Sequence, residues 1–119
     1  MKKVLVIEDN ESNMYLARFI LEQNGYTVLE ERTGLAGVER AVKDKPDLIL
    51  MDIQLPDING LEATMRIRAS VVGDAVPIVA ITSYAMTGDR EKTIAAGCNG
   101  YIEKPINPDT FMQELKKYC

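Results

Sequence analysis

Histidine is absent from this sequence. That single gap removes His-based metal sites, His-containing catalytic triads and any phosphohistidine of the chain's own. Cysteine is almost as scarce. Cys98 and Cys119 show no metal or redox spacing, so both are expected to be free thiols. No cluster of Lys and Arg interrupts a net charge of −4, which argues against a DNA- or RNA-binding face. Long hydrophobic runs are missing too. After Lys2-Lys3, the first apolar stretch, Val4 to Ile7, meets Glu8 and Asp9 at once; it is neither a signal peptide nor a membrane span. With no targeting segment, the cytoplasm is the expected location. No linker, repeat or low-complexity segment breaks the 119 residues, and 46% hydrophobic with 27% charged is ordinary for a soluble globular protein. A chain of this length buries roughly two thirds of its unfolded surface. One domain, residues 1–119, is expected.

What the chain does have is a series of short apolar runs with polar ends. In Leu48-Ile49-Leu50-Met51, four apolar residues stand between Asp47 and Asp52. A continuous run of that length reads as a strand buried on both faces, as inside a parallel sheet. Val4–Ile7 and Val76–Ile81 read the same way, and Tyr26–Glu31 and Asn99–Glu103 are shorter strand candidates.

Helical signals lie between them. Asn10 can cap a helix whose Met14, Ala17, Ile20 and Leu21 recur at helical spacing, with Glu11 favouring its first turn and Gly25 ending it. Thr33 can cap a second helix, with Leu35, Val38 and Val42 on one face and Pro46 as the stop. Leu55–Gly60 is rich in turn formers. Leu61, Ala63, Met65 and Ile67 alternate as a strand would, but the residue types favour a helix, and parallel strands require a crossover. A fourth helix starts at Thr87 or Asp89 and ends at Gly97. Asn107-Pro108 starts a last one, with Phe111, Met112, Leu115 and Tyr118 as its buried stripe. Five strands alternating with five helices imply an α/β fold, a parallel sheet covered on both faces with right-handed crossovers.

The residues at which the strands stop are Glu8 and Asp9, Asp52, Thr82 and Lys104. All lie at carboxyl ends, the edge at which open parallel sheets bind ligands. Three clustered carboxylates must bind a cation or hold a proton. With oxygen donors only, the expected ion is hard, and Mg²⁺ suits phosphate chemistry. An ionised Asp is a competent nucleophile towards phosphorus, and the transferring group carries charge that must be neutralised and oriented. Lys104 can supply a point charge and Thr82 a hydrogen bond.

Glu8-Asp9, Asp52 with Leu55-Pro56 and Gly60, Thr82-Ser83 and Lys104-Pro105 together resemble the response-regulator receiver domain over essentially the whole chain. The resemblance implies a flavodoxin-like (βα)5 sandwich with strand order 2-1-3-4-5. It implies that Asp52 accepts a phosphoryl group from a phosphohistidine on a sensor histidine kinase or a histidine phosphotransfer protein. Asp9, Asp52 and the backbone carbonyl of Gln54 would ligate Mg²⁺ (Mn²⁺ could substitute), and Glu8 would act through water. Thr82 and Lys104 would hold phosphoryl oxygens, and the Lys104–Pro105 bond would be cis. Thr82 would couple to Tyr101, remodelling the face of the fourth helix, fifth strand and last helix (α4-β5-α5) for a downstream protein. No nucleic acid or membrane partner is implied, and the state is monomer or weak dimer. Asp9–Met14, Met51–Pro56 and Ala85–Asp89 narrow the likeness to single-domain regulators of cell division and polarity and to receivers of hybrid kinases. Tyr84, bulky and two places after Thr82, is expected to slow loss of the phosphoryl group.

Other classes fit less well. An aspartate-based phosphatase wants a second acid two places after a nucleophile on the first strand, whereas Asp9 is followed by Asn10-Glu11. A flavodoxin-type carrier wants a first loop rich in Ser, Thr and Gly, but Glu8-Asp9-Asn10-Glu11 repels phosphate. Gly34-Leu35-Ala36-Gly37 lacks the nucleotide-loop pattern. A scaffold-only pseudo-receiver is disfavoured by the intact set of site residues. The expected protein is a switch, not a small-substrate enzyme.

Overall fold

A computed structural model describes residues 2–71, 73, 75–83 and 87–118, with the backbone alone described at 87–89. Five strands alternate with five helices: β1 Lys3–Ile7, α1 Glu11–Gln23, β2 Thr27–Glu31, α2 Gly34–Asp44, β3 Leu48–Asp52, α3 Gly60–Arg68, β4 Ile78–Thr82, α4 Thr87–Ala95, β5 Gly100–Glu103 and α5 Phe111–Leu115. All strand pairs are parallel, in the order β2-β1-β3-β4-β5. This is the expected flavodoxin-like topology, with the reversal of strand order between β1 and β3.

The continuous apolar runs follow from burial on two sides. Val4, Val6, Leu48, Leu50, Val79 and Ile81 point into one core with Met14, Leu21, Phe111 and Leu115 of α1 and α5. Their neighbours Leu5, Ile7, Ile49, Met51, Ile78 and Ala80 point into another with Ala41, Ala63 and Ile67 of α2 and α3. Successive strand residues face opposite ways, so both parities must be apolar.

The caps on Asn10 and Thr33 form as read: their side chains accept from the N–H groups of Asn13 and Ala36. Asn59 caps α3 in the same way, at Glu62. The α3 segment is helical despite its alternation, and Met65 lies 48% exposed.

Two local expectations need correction. The buried residues of α2 are Gly34, Gly37 and Ala41, and Val38 packs partly buried against the same core, while Leu35 is 44% exposed. The helix sits so close to the sheet that a Cβ on Gly37 would lie 2.4 Å from Ile7 Cδ1, which larger side chains on that line would prevent. The last helix begins at Phe111 rather than at Asn107-Pro108. Asn107 instead organises a turn before it, accepting from the Asp109 N–H at its side chain and from the Thr110 and Phe111 N–H groups at its carbonyl. Tyr84 and Cys119 lie outside the described residues; Cys98 is a free, buried thiol.

Candidate functional site

Register brings the strand ends into one place. Asp52 closes β3 opposite Ile81, so Thr82 stands one residue further out on the neighbouring strand. Thr82 is level with Glu103, and its carbonyl accepts from the Lys104 N–H at 2.8 Å. On the other side Ile7 is level with Met51, and Glu8 and Asp9 follow directly. The Lys104–Pro105 bond is cis, as expected.

Glu8 and Asp52 are each only 2% exposed, whereas Asp9 faces solvent. One carboxylate oxygen from each of Glu8, Asp9 and Asp52 lies within 4.8 Å of the others. Lys104 Nζ stands 2.8 Å from Glu8 Oε1 and 3.3 Å from Asp52 Oδ1. The Glu8 contact is an ion pair outside hydrogen-bond geometry: among the described residues Oε1 accepts no hydrogen bond, while Oε2 takes the Asn10 N–H at 3.2 Å. One ammonium against three carboxylates leaves the cluster net negative.

Burial pushes the Asp52 carboxyl up to about 7. Glu8 adds to that rise, against the Gln54 N–H (3.1 Å from Asp52 Oδ1) and Lys104, which favour the charged form. Burial pulls the Lys104 ammonium down, but Glu8 and Asp52 outweigh it and hold the group above its ordinary value. The two effects describe a site that lacks positive charge. All its donors are oxygens and one buried oxygen accepts no hydrogen bond, so the residues suit a hard divalent cation.

Close packing at the end of β3 holds the backbone of Asp52 and Ile53 in place. A Cβ on Gly60 would meet the Asp52 carbonyl oxygen at 2.3 Å and Ile53 Cα at 2.8 Å, and the Gly60 N–H donates to the Ile53 carbonyl at 2.8 Å. The glycine that closes the turn-rich segment is thus required by backbone approach.

The chain matches the response regulator receiver domain over residues 4–116. It belongs to that family. Among curated relatives it is 43% identical to the polar-differentiation response regulator DivK of Brucella anthropi, over 98% of this chain and 95% of that protein. Among solved structures it is similar to the receiver domain of sensor histidine kinase PA1611 from Pseudomonas aeruginosa PAO1, with a TM-score of 0.90 and 37% identity. That alignment covers 98% of this chain and 96% of the other, whose structure has a magnesium ion coordinated in the active site cleft. Chemotaxis protein CheY4 of Vibrio cholerae superposes with a TM-score of 0.94 at 27% identity, covering 100% and 99% of the two chains. The receiver is therefore a component of two-component signal transduction, homologous to a single-domain polarity regulator and to a hybrid-kinase receiver. Its acidic pocket of Glu8, Asp9 and Asp52 is consistent with a Mg²⁺-dependent phosphorylation site.

Glu8, Asp9, Asp52 and Lys104 converge as the strand ends suggested, and buried Thr82 stands beside them. Tyr101 does not join the carboxylates. It sits level with Ala80, half-buried, under the guanidinium of Arg90 at 5.5 Å from its ring centroid. Reading the sequence missed Arg90, and it missed Asp57, whose carboxylate accepts from the Gly34 and Leu35 N–H groups at 2.8 and 2.9 Å. The Asp57 contacts join elements distant in sequence and the Arg90 contact joins α4 to the next strand; spacing alone carries no signal for either.

Proposed function

We propose that this receiver, acting as one domain, takes a phosphoryl group onto Asp52 from a phosphohistidine and converts it into a change at its α4-β5-α5 face. The observation that carries the reading is the convergence of three carboxylates within 4.8 Å, with Lys104 Nζ 3.3 Å from Asp52. In the transfer, an Asp52 carboxylate oxygen forms a bond to phosphorus as the phosphorus–nitrogen bond breaks. The electron pair of that bond leaves with the imidazole nitrogen of the donor. Asp9, Asp52 and the Gln54 carbonyl would hold Mg²⁺, with Glu8 reaching it through water. When bound, Mg²⁺ supplies charge neutralisation for the transferring group. Lys104 neutralises a phosphoryl oxygen, and Thr82 donates a hydrogen bond to another.

The donor is a sensor histidine kinase or a histidine phosphotransfer protein. The output is a protein partner at the α4-β5-α5 face, where a groove of about 410 Å³ is lined by Arg90, Ile94, Tyr101, Lys117 and Tyr118. Thr82 and Tyr101 link site and face. Among the described residues no helix is long and apolar enough to cross a membrane, and we place the receiver in the cytoplasm as a monomer or weak dimer.

Intact-protein mass spectrometry tests the chemistry. The parent, incubated with acetyl phosphate or a phosphohistidine donor, should gain one phosphoryl group when Mg²⁺ is present. Asp52→Asn should gain none. Failure of the parent with both donors would leave a scaffold without phosphoacceptor function.

A further inference from the structure

The acceptor loop, Ile53 to Asn59, is fastened at two places. Its base is closed by the Gly60 N–H to Ile53 carbonyl bond, with the Ile53 N–H donating to Ile81 at 3.2 Å. Its tip is fastened to another layer of the fold. Both Asp57 carboxylate oxygens are taken by the first N–H groups of α2, from Gly34 and Leu35. Ile58 packs alongside, so close that a Cβ on Gly34 would lie 2.6 Å from its Cγ1. Helix N-termini present unpaired N–H groups and positive charge, and a two-oxygen acceptor there is a strong anchor. Asp57 is well below the usual carboxylate range, at about 2, chiefly because the Leu35 N–H favours the charged form.

We infer that Asp57 is a positioning residue for the cation site: its clasp on α2 holds the loop so that the Gln54 peptide stays where a divalent ion needs it. The inference rests on the proposed function of the site. Gln54 lies between the two fastenings, three residues before Asp57, and its own N–H is already committed to Asp52 Oδ1. Mg²⁺ tolerates little departure from octahedral geometry, so a carbonyl ligand on a loosened loop binds it poorly. Residues that orient metal ligands, without touching the ion, ordinarily tune its affinity.

The test compares Asp57→Ala with Thr33→Ala. Thr33 caps the same helix through the Ala36 N–H, so its loss weakens α2 without releasing the loop. Two readouts are taken: Mg²⁺ affinity by calorimetry, and amide hydrogen exchange of residues 53–60 in EDTA. Asp57→Ala should raise the Mg²⁺ Kd about tenfold, the low end for residues that orient metal ligands, and should speed exchange in the loop. Thr33→Ala should leave the Kd within about twofold of the parent and the loop exchange unchanged. If Asp57→Ala does not fold, Asp57→Asn, which keeps one acceptor oxygen, should show the same pattern with a smaller shift. Equal Mg²⁺ affinity in parent and Asp57 variants would overturn the positioning role while leaving the phosphoacceptor reading intact. So would an equal loss in Thr33→Ala. A parent that binds no Mg²⁺ would overturn both.

Discussion

Arg68, the last residue of α3, donates from Nε and Nη2 to the carbonyl oxygen of Gly97 at 2.9 and 2.8 Å. The same guanidinium reaches the carbonyls of Val76 and Gly73 at 2.6 and 3.2 Å, and Asn99 Oδ1 at 2.9 Å. Asn99 Oδ1 in turn accepts from the Ile78 N–H, where β4 begins. One side chain thus joins the entry to β4 with the entry to β5, at the sheet edge away from the acidic site.

Arg68→Ala should therefore destabilise the protein by about 2–4 kcal/mol, because several backbone acceptors lose a charged donor at once. Arg68→Lys should recover little, since a single ammonium cannot reproduce a fork that spans four acceptors. Urea unfolding of both variants checks this. A lysine variant as stable as the parent would show that the positive charge, rather than the fork, matters.

Gly60→Ala should be damaging for a different reason. Its Cβ would be driven into the Asp52 carbonyl oxygen and Ile53 Cα, both backbone atoms that cannot rotate away. A cost of about 2–4 kcal/mol is expected, with β3 displaced at its carboxyl end. Phosphoryl uptake by Asp52 should fall along with thermal stability. Unchanged uptake in a folded Gly60→Ala protein would mean that the loop absorbs the methyl group elsewhere.

Much of this fold was legible because each signal had a local cause. Leu48–Met51 had to be buried on both faces because both of its parities are apolar, and Asn10 and Thr33 cap helices through bonds within three residues. The site was legible for the same reason: Glu8, Asp9, Asp52, Thr82 and Lys104 mark where apolar strands end, and parallel topology gathers those ends. What escaped was set by packing between layers. Leu35 looked like a core residue of α2 by spacing, yet the glycine face packs on the sheet because only it permits the close approach. Asp57 read as one more turn former. Its partners lie 23 and 22 residues away, on a helix whose placement the turn does not encode.

Asp57 also predicts a pH dependence. The Leu35 and Gly34 N–H groups favour its ionised form and hold the folded carboxyl below the ordinary 3.8, at about 2. A depressed acid contributes stability that is present above its unfolded value and lost as pH falls through the folded one. The stability advantage of the parent over Asp57→Asn should hold constant above about pH 4 and shrink towards pH 2. Thermal unfolding of both proteins between these limits measures it. An advantage that persists unchanged at pH 2 would show that charge on Asp57 contributes nothing.

The acidic cluster predicts a stability difference that depends on the cation. In metal-free protein, burial and Glu8 push Asp52 up to about 7, so its ionisation works against the fold. A raised acid contributes stability that is full below its unfolded value, near 3.8, and lost as pH rises through about 7. In EDTA, Asp52→Asn should therefore be more stable than the parent at pH 8, with the difference closing as pH falls towards about 4. Added Mg²⁺ should narrow the difference. A ligand at about a hundred times its Kd stabilises by about 2.7 kcal/mol, and the parent should gain that while Asp52→Asn and Asp9→Asn gain little. Melting curves at pH 8, with and without Mg²⁺, decide the matter. If Asp52→Asn melts below the parent in EDTA, Lys104 neutralises the cluster more fully than its contacts with Glu8 and Asp52 suggest, and the demand for a cation weakens accordingly.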